Sequence, residues 1–250
     1  MMDDDPTLSL SGETTEFEDF HLLNPAGLRR LQQKYAGAAV EATLDFRWGK
    51  TPYNRIALMN HLAARVGPDC AYLEIGCDKD QLFSSLPVRR KIGVDPVSGG
   101  NRRMTSDAFF AENDQTFDLA FIDGLHTYEQ LHRDVANALR VVRPGGWIGI
   151  HDLVPVNWKE AHVPRLQGAW TGDVWKVGIE LSLSEGIPFR IILIDHGVGL
   201  IRVPDGAPDL ADLRTDLEDA SYDEFLAAFP ELPTVSWSEA MDWIAAGAGT

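Results

Sequence analysis

The stretch FDLAFIDGLHTYEQLHRDVANALRVVRPGGWIGIHD, residues 117–152, decides the fold. Two apolar runs, FDLAFIDG and WIGIHD, flank a segment over 128–142 in which apolar residues recur at the spacing of an α-helix. The Pro-Gly-Gly turn at 144–146 separates that segment from the second run, because proline cannot continue a helix. Strand, helix and strand in this order predict a β-α-β unit with parallel strands.

Four more apolar runs extend this unit into a sheet. AYLEIG at 71–76 and KIGVDP at 91–96 predict strands that end at a glycine and a proline. FRIILID at 189–195 and LIRV at 200–203, joined by a glycine-bearing turn, predict an antiparallel hairpin. We therefore predict an α/β fold with a Rossmann-like, mostly parallel, doubly wound sheet, a C-terminal antiparallel edge hairpin and a helical N-terminal extension.

The sequence divides into a core with two terminal extensions. Residues 1–66 predict an acidic lead-in, up to about Phe20, and N-terminal helices over 24–38 and 53–66 that pack on the core. The core is predicted over 67–204, and a helical tail over 205–250. The sequence shows no internal repeat and no low-complexity linker, so we do not divide it into independent domains.

Composition argues against several classes of partner. The 250 residues carry a formal net charge of −16, which repels a phosphate backbone and makes nucleic-acid binding unfavourable. No apolar run approaches the ~20 residues of a membrane span, so we expect no membrane partner. The acidic N-terminus MMDDDPTLSL lacks the features of a secretory signal, and we expect a cytoplasmic protein. The sequence leaves homo-oligomerisation open.

Acidic residues, histidines and a glycine lie at the ends of the predicted core strands. They are Glu74, Gly76, Asp95, Asp107, Asp123, His126, His151 and Asp152. Ligands of open α/β sheets bind outside the carboxyl ends of the strands, where loops surround a crevice. The grouping of ionisable residues at this edge therefore predicts a ligand site.

Five motifs resemble the class I S-adenosylmethionine (SAM)-dependent methyltransferases. They are YLEIG, KIGVDP, TSDAFF, FDLAFIDGLHTYEQ and RPGGWIGIHD, in this order over Tyr72 to Asp152. Within that superfamily the chain is similar to the branch with a DGxHxYE element and a terminal HD after the PGG turn, which includes sugar and natural-product O-methyltransferases. The resemblance implies an enzyme that methylates an oxygen, or alternatively a nitrogen, of a small-molecule acceptor.

The resemblance also implies a set of cofactor-binding residues. They are Glu74, Gly76, Asp95, Ser106, Asp107 and Asp123. Gly76 would let the backbone approach the methionine part of SAM, and Glu74 would orient that loop or meet the ammonium group. Asp95 would accept hydrogen bonds from the two ribose hydroxyls. Asp107 would lie near the adenine, or alternatively it caps the helix that follows.

Hard carboxylates and imidazole at two neighbouring strand ends favour a divalent cation such as Mg²⁺, with Asp123, His151 and Asp152 as its ligands. His126 is the candidate general base, with Asp123 as the second catalytic residue, because histidine titrates near neutral pH. The alternative is structural: the two aspartates cap loops and the two histidines bond only to the backbone.

The loop after the first strand departs from the family pattern. It reads GCDKD over 76–80, with a single glycine. This argues against a nicotinamide dehydrogenase, which needs GxGxxG. It also leaves an inactive nucleoside-binding or regulatory protein as one alternative function. A second alternative is a metal-dependent hydrolase or oxygenase that uses the Asp/His cluster alone. The aromatic segment over 158–176 is either a substrate lid or ordinary packing.

Overall fold

Seven strands in the described residues form one mixed sheet. The computed structural model describes residues 25–206 and 208–247, so the predicted acidic lead-in lies outside the described residues. The strands are β1 (Ala71–Ile75), β2 (Arg90–Val94), β3 (Phe117–Ile122), β4 (Val142–Ile150), β5 (Phe189–Ile192), β6 (Val198–Arg202) and β7 (Thr234–Val235). Their spatial order is β2-β1-β3-β4-β6-β5-β7, and among them only β6 runs antiparallel to its neighbours. The predicted fold class is confirmed.

Helices cover both faces of this sheet. They are α1 (Pro25–Lys34), α2 (Arg55–Val66), α3 (Gln81–Ser85), α4 (Ser106–Glu112), α5 (Tyr128–Val141), α6 (Trp175–Leu183), α7 (Arg214–Leu217), α8 (Tyr222–Ala228) and α9 (Trp237–Ala246). Val135 of α5 shares one buried cluster with Leu73 of β1, whereas Met59 of α2 shares a second with Leu119 of β3. Successive strand residues point to opposite faces, so each face has its own core. None of the helices in the described residues has the length and apolarity that crossing a bilayer requires.

The Pro-Gly-Gly turn lies inside β4 rather than before it. Val142 pairs with Phe117 and Trp147 pairs with Leu119, so residues 143–146 form a bulge in the strand. The N–H of Gly145 donates to the Val203 carbonyl at 2.8 Å, which ties the bulge to the end of β6. As a result α5 passes into β4 without a connecting loop.

The predicted hairpin consists of β5 and β6, with β6 beside β4. A two-residue strand that the sequence did not predict, β7, pairs with β5 on its outer side. The hairpin therefore forms the far side of the sheet, and β7 adds the last strand there.

The backbone hydrogen bonds between the parallel strands continue into the residues that directly follow each strand. The N–H groups of Gly76, Asp123 and His151 donate to carbonyls of neighbouring strands at 2.9, 2.8 and 3.0 Å. These backbone bonds fix the first residues after β1, β3 and β4 side by side at one edge of the sheet. That edge carries the candidate site.

Candidate active site

Two carboxylates and two histidines converge after β3 and β4. Nδ1 of His151 lies 3.2 Å from Oδ1 of Asp123 and 3.1 Å from Oδ1 of Asp152. Nε2 of His126 lies 3.3 Å from Oδ1 of Asp123, and Nδ1 of His126 lies 3.3 Å from Oδ2 of Asp152. The structure thus brings together the four residues for which the sequence predicted catalysis or metal binding.

His126 is also held by the segment that follows β4. Its Nδ1 lies 3.0 Å from the backbone carbonyl of Trp170, and the indole of Trp170 stacks on the imidazole with ring centroids 5.2 Å apart. Both ring nitrogens of His126 therefore face oxygen atoms, Nδ1 those of Trp170 and Asp152 and Nε2 that of Asp123. Burial disfavours a charged His126, yet Asp123 and Asp152 raise its pKa above the ordinary value.

Arg55 and Asp195 extend the cluster, and the sequence analysis assigned neither of them to it. The Asp195 carboxylate accepts hydrogen bonds from the N–H of Arg55 at 3.0 Å and from its Nη1 at 2.9 Å. The same carboxylate lies 3.6 Å from Nε2 of His151. Nε of Arg55 lies 3.9 Å from Oδ2 of Asp123. Arg55 opens α2 and Asp195 follows β5, and no motif in the sequence marks either residue.

The charges of the cluster set its protonation. Burial opposes the charged form of Asp123, but His151 and His126 outweigh it and hold the pKa of Asp123 well below its ordinary value. Burial likewise disfavours a charged His151, yet Asp123 and Asp152 raise the pKa of His151 well above its ordinary value. An imidazolium at His151, shared between the two carboxylates, satisfies both directions.

Asp123, His126 and Asp152 have the geometry to hold a divalent cation. One ligand atom from each lies within 4.8 Å of the other two. Carboxylate oxygens with an imidazole nitrogen suit Mg²⁺, Mn²⁺ or Zn²⁺. This group contains His126 where the sequence analysis placed His151, and His126 can serve either as a ligand of the cation or as a proton acceptor, not as both. Metal binding by these residues stays a prediction.

A solvent-open pocket with a cavity volume of about 90 Å³ lies beside this cluster. Its lining includes Arg55, Glu74, Gly76, Lys79 and Asp123. Glu74 is 2 % exposed, and burial raises the pKa of its carboxyl to about 7. The pocket therefore presents groups of both charges, and three of the six predicted cofactor residues line it.

Gly76 adopts a conformation that only glycine readily takes. Its φ is 81°, and a Cβ at this position would collide with the backbone carbonyl of Asp123. The close contact between the loops after β1 and β3 thus requires a glycine at position 76. The predicted approach of Gly76 to SAM stays a prediction.

Backbone N–H groups surround the carboxylate of Asp95. Oδ2 accepts from the N–H groups of Cys77 and Asp78 at 2.9 and 3.1 Å. Oδ1 accepts from those of Val97 and Ser98, both at 2.8 Å. Burial alone would raise the pKa of Asp95, but these bonds lower it. A carboxylate has about four acceptor sites, so a ribose hydroxyl would have to share one of them. The predicted ribose contact stays a prediction.

Ser106 and Asp107 lie in the first turn of α4, next to Gln130 of α5. Nε2 of Gln130 lies 3.1 Å from Oγ of Ser106 and 3.2 Å from Oδ1 of Asp107. Thr105 caps α4, because its side chain accepts from the N–H of Ala108 at 3.2 Å. Thr105 therefore takes the role that the alternative interpretation gave to Asp107.

A sequence family described as a methyltransferase domain matches residues 89–153. These residues are similar to a methyltransferase domain. The matched residues of this domain include Asp95, Asp123, His126 and Asp152, so most of the cluster falls within them. The predicted resemblance to methyltransferases is confirmed over these residues. No curated protein matches the chain.

Solved methyltransferase structures are similar to this chain at low identity. The SAH-bound (S-adenosylhomocysteine-bound) methyltransferase PaMTH1 of Podospora anserina is 16% identical over 79% of this chain and 98% of its own, with a TM-score of 0.47. An O-methyltransferase from Bacillus cereus in complex with SAH is 15% identical over 75% and 96%, with a TM-score of 0.42. MycE from the mycinamycin biosynthetic pathway, in complex with Mg, SAH and mycinamycin VI, is 18% identical over 81% and 66%, with a TM-score of 0.41. The chain thus spans about two thirds of MycE.

Proposed function

We propose that this chain transfers the methyl group of SAM to a hydroxyl oxygen of a small molecule, such as a sugar or a natural product. The observation that carries the proposal is the position of Asp123, which belongs both to the carboxylate–histidine cluster and to the lining of the adjoining pocket. A methyl donor in the pocket and a hydroxyl at the cluster would meet at this residue. A net charge of −16 favours a small acceptor over a nucleic acid.

The pocket complements the amino-acid end of SAM. Arg55 and Lys79 offer positive charge to its carboxylate, and Glu74 and Asp123 offer acceptors to its ammonium group. A bound ammonium would favour the ionised form of Glu74, whose pKa burial raises to about 7. Cofactor binding would therefore release a proton from Glu74 below that pH.

The chemistry that we propose at the cluster is a proton transfer followed by an in-line displacement. The acceptor hydroxyl gives its proton to the neutral imidazole of His126, and its oxygen forms the new bond to the methyl carbon. The carbon–sulfur bond breaks with its electron pair on sulfur, which leaves SAH. A divalent cation held by Asp123 and Asp152 would lower the pKa of the hydroxyl.

Calorimetry with SAH tests the cofactor, and transfer of a labelled methyl group from SAM to a panel of glycosides, catechols and amines tests the reaction. We expect wild-type protein to bind SAH and to methylate a hydroxyl. His126→Ala should lower the rate by about 100-fold or more while SAH still binds. The matched variant His162→Ala should keep the rate, since Nδ1 of His162 lies 2.9 Å from the backbone carbonyl of Pro164, outside the cluster.

Three results would overturn the proposal. The first is binding of a nucleotide or NAD without binding of SAH. The second is methylation of amines alone, which would make nitrogen the acceptor. The third is an activity that survives removal of SAM and disappears in Asp152→Ala, which is the outcome expected of a metal-dependent hydrolase. Turnover that EDTA abolishes and Mg²⁺ restores would support metal assistance.

A further inference from the structure

A buried carboxylate that the proposed reaction does not use lies behind the loop after β3. Asp134 of α5 is 1 % exposed. A Cβ at Gly124 would lie 3.7 Å from Oδ2 of Asp134, and a Cβ at Gly76 would lie 2.7 Å from the Cα of Gly124. Gly76 and Asp123 line the pocket. Gly124, which has no side chain, thus lies between Asp134 and the loops that line the pocket.

Asp134 bonds to two half-buried polar residues nearer the surface, Ser106 and Gln130. Its Oδ1 accepts from Nε2 of Gln130 at 3.0 Å. Burial raises the pKa of Asp134, and the hydrogen bonds from Ser106 and Gln130 lower it in part. Ser106 opens α4 and Gln130 lies in the first turn of α5. The carboxylate of Asp134 therefore ties the starts of these two helices together.

The amide nitrogen of Gln130 has more acceptors around it than it has hydrogens. Nε2 lies 3.0 Å from Oδ1 of Asp134, 3.1 Å from Oγ of Ser106 and 3.2 Å from Oδ1 of Asp107. Its Oε1 accepts from Nη2 of Arg133, which fixes the amide with its nitrogen towards these three oxygens. Arg133 also forms an exposed ion pair with Asp107, with Nε 3.5 Å from Oδ1. Two hydrogens are shared among three oxygens, so Asp107, the farthest and the most exposed, keeps acceptor capacity.

This arrangement suits the amino group of a heterocyclic base. The ionised carboxylate of Asp107 accepts hydrogens and has none to donate, so it distinguishes an amino substituent from a carbonyl. SAM carries one such amino group, on its adenine. The pocket complements the amino-acid end of SAM, so the adenine has to lie elsewhere along the edge of the sheet. The network around Gln130 adjoins the pocket through Gly124.

We propose that Gln130 and Asp134 are positioning residues for the recognition of the SAM adenine. Asp134 holds the side chains of Gln130 and Ser106. Gln130 in turn orients the carboxylate of Asp107, which accepts a hydrogen from the adenine amino group. The proposal rests on the proposed function, which requires SAM, and goes beyond it by naming the residues that select the base. The sequence analysis assigned no role to Gln130 or Asp134.

The test compares SAH with S-inosylhomocysteine, in which an oxygen replaces the amino group of the base. Isothermal titration calorimetry measures the affinity of the full chain for each compound. We expect wild-type protein to bind SAH at least about 10-fold more tightly, because the oxygen of the second compound would face the Asp107 carboxylate with no hydrogen between them. Asp107→Asn should reduce this preference to less than about threefold, since an amide can donate to that oxygen.

Two further variants test the positioning residues. Gln130→Leu removes the amide, and Asp134→Ala removes the carboxylate that holds it. Each should reduce the preference for SAH to less than about threefold, because Asp107 then turns away from the base. Gln115→Leu is the matched control and should keep the wild-type preference, since Gln115 is exposed in the loop before β3. Near-UV circular dichroism establishes which variants are folded, and the half-buried Gln130 provides the decisive one if Asp134→Ala does not fold.

The ratio of the two affinities separates a positioning role from a structural one. A network that only stabilised α4 and α5 would weaken the binding of both compounds alike. An unchanged ratio in the folded variants at Gln130 and Asp134 would therefore overturn the proposal. Equal affinity of wild-type protein for the two compounds would also overturn it, and would leave the proposed function standing. Binding of neither compound would overturn both.

Discussion

The carboxylate of Asp95 ties together two loops at the edge of the sheet. Its oxygens accept from the N–H groups of Cys77 and Asp78 after β1 and from those of Val97 and Ser98 after β2. A ribose hydroxyl that reached Asp95 would bond to an oxygen already engaged by both loops. Nucleoside binding at this position and the order of the loops are therefore coupled.

Asp95→Asn should destabilise the fold. An amide nitrogen would face two N–H donors and leave them without an acceptor, at a cost of about 2–3 kcal/mol in the free energy of unfolding. Because bonding lowers the pKa of Asp95, its contribution is present above the unfolded pKa and is lost as pH falls through the folded pKa. Urea denaturation should show the full difference at pH 7 and a smaller one below about pH 4. Equal stability of the two proteins at pH 7 would contradict this account.

Gly76→Ala should cost more stability than an ordinary left-handed glycine does. A new Cβ would collide with the Asp123 carbonyl, in addition to the strain of a φ of 81°. Gly145 is the matched control, since its φ is 78° and a Cβ there has open space. We expect Gly145→Ala to cost about 1–2 kcal/mol and Gly76→Ala clearly more, by chemical denaturation. Similar losses of stability in the two variants would show that the backbone around Asp123 moves away from the new Cβ at no added cost.

Strands and helices whose residues follow one apolar pattern along the sequence were predicted closely. Elements that form only through tertiary contacts were missed. The strand predicted over 71–76 is observed as Ala71–Ile75, because its run is apolar throughout and bounded by turn residues. Helix α6 was missed, since Trp175, Val177, Gly178 and Leu181 are all buried and leave no polar face to define a helical stripe. Strand β7 has two residues and exists only through its pairing with β5.

One buried carboxylate on α6 binds the start of the C-terminal tail to the core. Glu180 accepts from the hydroxyl of Tyr128 at 2.6 Å and from the N–H of Leu213 at 2.9 Å, and Nδ1 of His132 lies 2.9 Å away. The ligand atoms of His132, Glu180 and Asp212 also approach one another, but Asp212 is bonded to its neighbour Arg214 at 2.6 and 2.8 Å. The donors around Glu180 fit a structural carboxylate.

Glu180→Ala should loosen the start of the tail around Leu213 as well as destabilise the core. The buried donors lose their acceptor, which should cost about 3 kcal/mol or more in the free energy of unfolding. Hydrogen exchange should speed up at the amide of Leu213, which donates to this carboxylate. Tyr128→Phe is the matched control, because it removes one donor and leaves the Leu213 bond in place. Unchanged exchange at Leu213 in Glu180→Ala would mean that other contacts hold the tail.

Over the whole molecule, the site draws on parts of the chain that are far apart in sequence. Asp123, His126 and Asp152 were predictable as a group because parallel strands place their carboxyl ends at one edge. Arg55 and Trp170 reach the same cluster from α2 and from the segment after β4, and only the packing of the folded chain brings them there. Periodicity and motif spacing report neighbours along one element, so they carry no information about such residues.

Several buried groups bind protons more tightly in the folded protein than in the unfolded chain. Burial raises the pKa of Glu74 to about 7 and that of Asp134 to about 6. The pKa of His151 is also raised, since Asp123 and Asp152 outweigh its burial. In each case the folded state holds protons that the unfolded chain has already released, so stability decreases as pH rises through these values. The pKa values of Asp123 and Asp195 are lowered, so the stability that these two residues contribute is lost as pH falls into the acidic range.

We therefore expect the free energy of unfolding to decrease between about pH 5 and pH 8, with Glu74 responsible for about 2 kcal/mol of the change. Glu74→Gln mimics the protonated carboxyl, so its stability should decrease less over this range. Glu185→Gln is the control, because Glu185 is exposed and its replacement should leave the wild-type slope. Urea titrations of the three proteins at pH 5, 6, 7 and 8 measure the slopes. Parallel curves for wild type and Glu74→Gln would show that Glu74 ionises in the folded protein as it does in the unfolded chain. Glu74 would then not be the acid of raised pKa that we describe in the pocket.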